Sequence, residues 1–257
     1  KKTEILESFK TAIGSTVKSL SNSENVEVSF GDKNSQSKNN LIKLPDIEQL
    51  NNRINYNQIR ALADSKSLKL RFSNEKTFKA YEPDGNISKK LYKIAEKIRC
   101  EKLGSDQFKG IRQNIEKYYQ ERANTLDLKN SEEKITESFE NYLRTKLFKL
   151  KNSKELEKKF KTFQKDLNEK FKEKIKQLDS LTHDQVQYNS IISDLIANMN
   201  LDEIVEEKEK NQENKEEKQN DQRNKEQKTS EKDQEHQEMS IESGAPDLEN
   251  ETKESDK

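Results

Sequence analysis

Apolar residues are confined almost entirely to the first four-fifths of this 257-residue sequence. Residues 206–257 contain four members of the hydrophobic class, whereas residues 1–205 contain 69. Ordering one residue costs about 1–2 kcal/mol of conformational entropy, and a segment with almost nothing to bury cannot offset that cost. The sequence therefore predicts a folded domain over residues 1–205 and a disordered, charged linker over residues 206–257.

The formal net charge of zero conceals an uneven distribution of charge. Residues 206–257 carry 18 acidic and 10 basic side chains, and residues 1–205 carry 31 acidic and 39 basic ones. A basic domain can bind nucleic acid or a membrane surface, but it is equally compatible with a domain that carries its own acidic segment. The second interpretation is favoured, because Lys and Asn are frequent in every segment of the chain.

Most of residues 1–205 follow the periodicity of amphipathic helices. The longest stripe has steps of three and four residues and consists of Leu156, Phe160, Phe163, Leu167, Phe171, Ile175 and Leu178. Similar spacing predicts helices at the N-terminus, from Tyr56, after the turn YEPDGN, and from about residues 106, 131 and 182 onwards. The long stripe could close an intramolecular hairpin with the helix before it, which we favour, or form the seam of a coiled-coil dimer.

Several residues are predicted to mark helix ends. Gly104 is a candidate C-cap, and Ser105 or Asp106 is a candidate N-cap for the helix that follows. Asn130 and Asn152 each precede a Glu by three residues, which is typical of a capping box.

One short region departs from the helical pattern. The stretch NVEVSFG alternates Val26, Val28 and Phe30 with polar residues, and this predicts a strand that ends at Gly31. LIKLPDI is a second extended candidate, because the residue before Pro45 is disfavoured in helical conformation. The predicted fold class is mainly α: a helical bundle with a small β element near the N-terminus and a disordered charged C-terminal tail.

Motifs for catalysis or cofactor binding are absent from the sequence. No G-x-x-x-x-G-K phosphate loop occurs, and Cys100, as the one cysteine, allows neither an internal disulfide nor a cysteine-based zinc site. No apolar run is long enough to cross a bilayer, and the N-terminus does not resemble a signal peptide, so we expect a cytoplasmic protein without a membrane partner. The Lys-rich segment 149–176 interleaves its lysines with acids, so nucleic-acid binding is not predicted.

The segment AEKIRCEKLG contains an unusual charged cluster. On a helix, Glu96 and Arg99 are neighbours, whereas Arg99 and Glu101 lie about 200° apart. Glu101 instead lies close to Ile94 and Ile98 in angular position, so it points toward the apolar side of the helix. A carboxylate there needs a cation or a hydrogen-bond donor. Either it forms a salt bridge to another helix or it belongs to a contact surface, and the sequence leaves both open.

The succession of IRALADSKSLKLRF, YEPDGN and AEKIRCEKLGSDQFKGIRQNI resembles the N-terminal region of the CobT subunit of the aerobic, ATP-dependent cobaltochelatase. The similarity is specific over Tyr56–Ile115 and fainter over the rest of the chain. The matching residues are Arg60, Leu62, Ala63, Asp64, Ser65, Leu68, Leu70, Pro83, Gly85, Glu96, Arg99, Glu101, Gly104, Gly110 and Asn114.

The resemblance implies a non-catalytic subunit that docks a CobS-like AAA+ ATPase and couples ATP hydrolysis to cobalt insertion into a corrin ring. The ring would be hydrogenobyrinic acid a,c-diamide, and the reaction would belong to aerobic cobalamin biosynthesis. It also implies a CobN-like large subunit as partner and a homo-oligomeric ring. The complex would use ATP, magnesium and cobalt, while this chain would bind no cofactor or metal itself. The residues implied as partner-binding or scaffold positions are Glu96, Arg99, Glu101, Gly104, Gly110 and Asn114.

Two departures from the family pattern limit what the resemblance implies. The D-x-S-x-S motif of the von Willebrand factor A domain is absent, which implies that this chain is the N-terminal portion of a longer protein. Relatives often have Cys and His where this chain reads RFSNEKTFK, so metal ligation there is not expected. The alternative interpretation is a helical coiled-coil scaffold or interaction protein with no chelatase role, and weak nucleic-acid binding is a third.

Overall fold

The computed structural model describes residues 2–31, 40–47, 56–124, 126, 130–150, 152, 154–199 and 201. The predicted disordered linker, residues 206–257, lies outside the described residues. The elements in the described part are α1 (Lys2–Ser21), β1 (Glu27–Phe30), β2 (Leu41–Leu44), α2 (Tyr56–Phe72), α3 (Glu75–Ala80), α4 (Asn86–Gln107), α5 (Lys109–Asn124), α6 (Ser131–Leu147), α7 (Lys154–Ser180) and α8 (Gln185–Ala197). The predicted mainly α class with a small β element near the N-terminus is confirmed.

The two strands form a parallel pair in which Glu27 lies opposite Leu41 and Phe30 lies opposite Leu44. Gly31 ends β1 with a φ of 72°, and a Cβ there would lie 2.4 Å from the Cβ of Asp46. One apolar cluster, called here the N-terminal cluster, packs the strands against α1 and α2. Its buried members are Ile13, Val17, Val26, Ile42, Leu44, Ile47, Ile59 and Ala63.

The main core is arranged around α4, which contacts α2, α5, α6 and α8. The apolar stripe of α7 supplies Leu167, Phe171, Ile175 and Leu178 to this core. Leu156 and Phe160 of the same stripe are also buried. α6 and α7 pack against each other, as the intramolecular hairpin predicts. No helix in the described part of the chain is both long and apolar enough to cross a membrane.

The predicted helix ends around Gly104 are wrong. α4 continues to Gln107, and the Phe108 N–H donates to the Gly104 carbonyl at 2.8 Å, so Ser105 and Asp106 lie inside this helix. A Cβ at position 104 would lie 2.3 Å from Leu68 Cδ2. The glycine therefore serves the close approach of α4 to α2, and it does not end the helix.

The other predicted caps have mixed outcomes. Asn130 caps α6, because its Oδ1 accepts the Glu133 N–H at 2.7 Å. The Asn152 amide instead bonds to Asn141 of α6, with the two distances at 3.0 and 3.1 Å. The short helix α3 was not predicted, although the signal exists, since Asn74 Oδ1 accepts the backbone N–H three residues later.

One buried side chain of α8 is unsatisfied. Asn189 is 1% exposed, and neither its Oδ1 nor its Nδ2 has a hydrogen-bond partner within the part of the chain that the structure describes. An unmet buried polar group costs about 1–3 kcal/mol. We therefore expect Asn189→Leu, which keeps the side-chain size, to raise the free energy of unfolding by about 1–3 kcal/mol in urea denaturation. A lower free energy of unfolding would contradict this.

Candidate functional site

The two segments that carry the sequence resemblance, α2 on one side and α4 with α5 on the other, meet through matching side chains. Three contacts join them: Ser65 with Glu101, Asp64 with Asn114, and Leu68 with Gly104. All six residues belong to the resemblance. The two segments are therefore complementary parts of one buried interface.

Glu101 is the centre of the first network. It is completely buried, and its Oε1 accepts a hydrogen bond from the Ser65 hydroxyl at 2.5 Å. Its Oε2 lies 2.7 Å from Arg144 Nη1, an ion pair by distance that is not aligned as a hydrogen bond. The aligned hydrogen bonds of Arg144 go to Glu140 Oε1, at 3.1 Å from Nε and 2.9 Å from Nη2. The network thus joins α2, α4 and α6.

The α5 helix joins this network from the other side. Arg144 stacks on Tyr119, with its Cζ 3.2 Å from the ring centroid, and Arg122 Nη1 donates to Glu140 Oε2 at 3.0 Å. Burial alone would raise the pKa of Glu140, but Lys97, Arg144 and Arg122 outweigh burial and hold it well below its usual range. Glu140 is therefore ionised and paired at neutral pH.

A second network lies on another side of α4. Arg99 donates to both carboxylate oxygens of Glu96, at 2.9 and 2.8 Å. The same guanidinium donates to the carbonyl of Thr182 at 3.0 Å and to that of Phe72 at 2.6 Å. Gln185 of α8 completes the network, because its Nε2 donates to Glu96 Oε1 at 3.0 Å. This network ties α4 to the end of α2 and to the start of α8.

Asp64 is a buried carboxylate of the interface whose neighbours do not offset the cost of burying its charge. It is 4% exposed, and its Oδ2 accepts a hydrogen bond from Asn114 Nδ2 at 2.9 Å. Burial raises the pKa of Asp64 to about 6; Asn114 and Arg60 oppose this rise, and the nearby Glu101 adds to it. The folded protein therefore binds a proton at Asp64 more tightly than the unfolded chain does.

The raised pKa gives a testable pH dependence. Stability from the protonated Asp64 is fully present below the unfolded pKa near 4, and it is lost as the pH rises through about 6. Asp64→Asn keeps the shape and an acceptor for Asn114 but cannot ionise. The free energy of unfolding of the variant, relative to that of the parent, should rise by roughly 2–3 kcal/mol from pH 4 to pH 7.5. Urea unfolding at each pH measures this difference. A stability difference that does not change with pH would contradict this.

The structure places the six predicted site residues in different environments. Glu96, Arg99 and Glu101 are 0–2% exposed, and Gly104 is buried against Leu68. Asn114 is half-buried, whereas Gly110 is exposed and has open space where a side chain would be. Arg99 and Glu101 each contact residues of other helices or of the segments beside them within this chain.

Several members of the networks were not predicted as site residues. These are Asp64, Ser65, Tyr119, Arg122, Glu140, Arg144 and Gln185. A signal existed for one pair, since Glu140 and Arg144 have i,i+4 spacing beside the apolar stripe of their helix. Their partner across the interface could not be predicted, because Glu101 is far away in the sequence.

The described part of the chain shows no group of three His, Cys, Asp or Glu side chains that could hold a metal ion. Cys100 is completely buried, and burial, together with the neighbouring Glu96, raises the pKa of its thiol far above the usual value. It is therefore unsuited to act as a thiolate nucleophile.

Comparison with known proteins agrees with the resemblance in the sequence. The family model described as "Cobalamin biosynthesis protein CobT" matches residues 3–257, which is nearly the whole chain. Neither the curated proteins nor the solved structures give a match. Because the family model covers far more than half of the sequence, the chain belongs to the CobT family of cobalamin biosynthesis proteins.

Proposed function

We propose that this chain is the non-catalytic scaffold subunit of a cobaltochelatase. The observation that carries the proposal is the buried interface that joins the family-like segments. Two ion networks and one close helix contact fix α4 against α2, α6 and α8. In this proposal the paired charges within the core specify how these helices are arranged. A fixed arrangement suits a module that positions other subunits.

In this proposal the chemistry takes place on other subunits. A CobS-like AAA+ ATPase hydrolyses ATP with magnesium, and a CobN-like large subunit holds the corrin ring, hydrogenobyrinic acid a,c-diamide. Cobalt is the substrate of the reaction, and the present chain docks the ATPase as part of a homo-oligomeric ring. The family assignment supports a role in cobalamin biosynthesis, and the buried networks that join the helices support a docking role within it.

Co-purification tests the docking part of the proposal. The tagged chain is mixed with the CobS-like ATPase from the same organism, with and without ATP and magnesium, and the complex is measured by size-exclusion chromatography. We expect a complex that survives chromatography when nucleotide is present. A folded chain, verified by circular dichroism, that never retains the ATPase would contradict docking.

A reconstituted chelation assay tests the role in metal insertion. Cobalt insertion into hydrogenobyrinic acid a,c-diamide is followed by absorbance with the ATPase and the large subunit, in the presence or absence of this subunit. We expect insertion to require the subunit, while the ATPase alone still hydrolyses ATP. Equal insertion without it would favour a helical interaction protein that has no chelatase role.

A further inference from the structure

The exposed side of α7 carries a row of lysines. At about 100° per residue, these lysines fall within a sector of about 60° around the helix axis, and no acidic residue of α7 falls in that sector between the first lysine and the last. The row rises by about 33 Å along the helix. All of its side chains are exposed, and it is called here the lysine stripe: Lys154, Lys158, Lys161, Lys165, Lys172 and Lys176.

Most of the lysine stripe is not neutralised within the chain. Lys165 lies 3.8 Å from Glu169. Lys176 lies 3.0 Å from Glu173. The other four lysines form no ion pair with any side chain that the structure describes. Like charges three or four residues apart on a helix repel each other, so the stripe weakens α7 as long as no anion lies beside it.

The surface of α5 is built differently. There Arg112 lies 2.8 Å from Glu116. Further along the same helix, Lys117 lies 4.0 Å from Glu121. Ion pairs at this four-residue spacing support a helix that faces only water. On α7 the lysines of the stripe are instead separated from the acidic residues, and this indicates a surface that meets an anionic partner.

The lysine stripe is also narrow, because an exposed glutamate borders it on each side. Glu157 lies about 40° beyond one edge of the sector and Glu169 about 20° beyond the other. A broad anionic surface, such as a nucleic-acid duplex or a membrane, would bring phosphates close to these carboxylates. α7 contains no arginine, and its phenylalanines are buried or packed against the core, so it offers neither a guanidinium for phosphate nor a ring for base stacking.

We propose that the lysine stripe binds an acidic helix of another protein. Glutamates at the same three- and four-residue spacing on a helix that runs along α7 would repeat at the same rise and face the lysines. Lysines beside those glutamates would in turn face Glu157 and Glu169. The inference goes beyond the proposed function, since it concerns a face of α7 that the networks around α4 do not use.

Two synthetic peptides of about 23 residues, the length of the lysine stripe, test the proposal. Both have the same composition of glutamate, alanine and glutamine. The glutamates share one helix face in the aligned peptide and are spread around the helix in the dispersed peptide, and circular dichroism verifies that both are helical. Fluorescence anisotropy measures the binding of each labelled peptide to the full chain. We expect the aligned peptide to bind at least about fivefold more tightly, and its affinity to fall as the salt concentration rises.

A triple variant locates the binding surface. Lys158→Gln, Lys161→Gln and Lys172→Gln together remove three charges from the lysine stripe and break no ion pair with a described side chain. We expect the affinity for the aligned peptide to fall about tenfold, because each exposed ion pair contributes little but three are lost. The melting temperature should not fall, since repulsion within the stripe decreases.

The matched control carries Lys93→Gln, Lys109→Gln and Lys134→Gln, which remove three exposed lysines from α4, α5 and α6. Its net charge equals that of the stripe variant, and its affinity for the aligned peptide should stay within about twofold of that of the parent. Three results would overturn the proposal: no binding of the aligned peptide at low salt, equal binding of the two peptides, or an equal loss of affinity in both variants.

Other anions are compared in the same assay. A single-stranded oligonucleotide and vesicles that contain phosphatidylserine replace the peptide, and we expect both to bind more weakly. Tighter binding of either one, lost in the stripe variant, would assign the lysine stripe to phosphates and overturn the proposal. Residues 206–257 are acidic too, although ten basic side chains are mixed among their 18 acids. Carbodiimide cross-links from the stripe to those acids within one chain would likewise overturn binding of another protein.

Discussion

Replacing Arg144 with Met is expected to lower the free energy of unfolding by about 3–5 kcal/mol. The substitution keeps an extended side chain but leaves Glu101 and Glu140 buried without the cation that contacts both. Urea denaturation at pH 7 measures the loss.

Lys165→Met is the matched control for this substitution. Lys165 lies 3.8 Å from Glu169 on the exposed face of α7, and both side chains are more than 60% exposed. Ion pairs of this kind contribute about 0–1 kcal/mol, so the control should change stability by less than about 1 kcal/mol. An equally small effect of Arg144→Met would show that the Glu101 network does not hold the helices together.

Replacing Gly104 with Val should destabilise the fold by about 3 kcal/mol, near the upper limit for overpacking. Even a Cβ at this position would lie 2.3 Å from Leu68 Cδ2 and 2.6 Å from Cδ1, and Leu68 is completely buried. The Leu68 side chain would therefore have to move within a filled core, or the α2 and α4 helices would have to separate. Thermal and urea unfolding measure the effect.

The control Gly110→Val tests whether the effect comes from packing. Gly110 also lies in a helix, but no atom is within 4 Å of the place where its Cβ would be. Most residues favour a helix more than glycine does, so replacing a helical glycine without such contacts should not destabilise the helix. The free energy of unfolding of this variant should therefore equal or exceed that of the parent. Combining Leu68→Ala with Gly104→Val should cost less than the sum of the single effects. Additive effects would contradict direct contact between these two residues.

Residue periodicity predicted much of the fold, because each helix has a face that must be buried. The stripe of α7 and the alternation in β1 are local patterns, and both predicted the observed element type. The angular position of Glu101 on its helix also predicted that the carboxylate would lie on the buried side. These inferences succeeded because they depend on residues a few positions apart.

The wrong predictions at Gly104 and Asn152 have one common cause, which is contact with a residue of another helix. Gly104 was interpreted as a helix end because glycine is common there, whereas it is needed because Leu68 of α2 occupies the space beside it. Asn152 was interpreted as a cap, but its amide bonds to Asn141 of the preceding helix. Both roles depend on a contact with a neighbouring helix. The local sequence does not indicate which residue of that helix makes the contact.

The sequence by itself determined the helical class, the short β element and the need for a partner at Glu101, because burial and periodicity are properties of single segments. Only the tertiary structure decided that this partner is Arg144 and that Ser65, Asp64 and Leu68 of α2 each meet a particular residue of α4 or α5. The physical reason is that the packing of whole helices brings together residues that are far apart in the sequence. This packing determines which residue pairs with a buried charge and which residue fills the space beside a glycine.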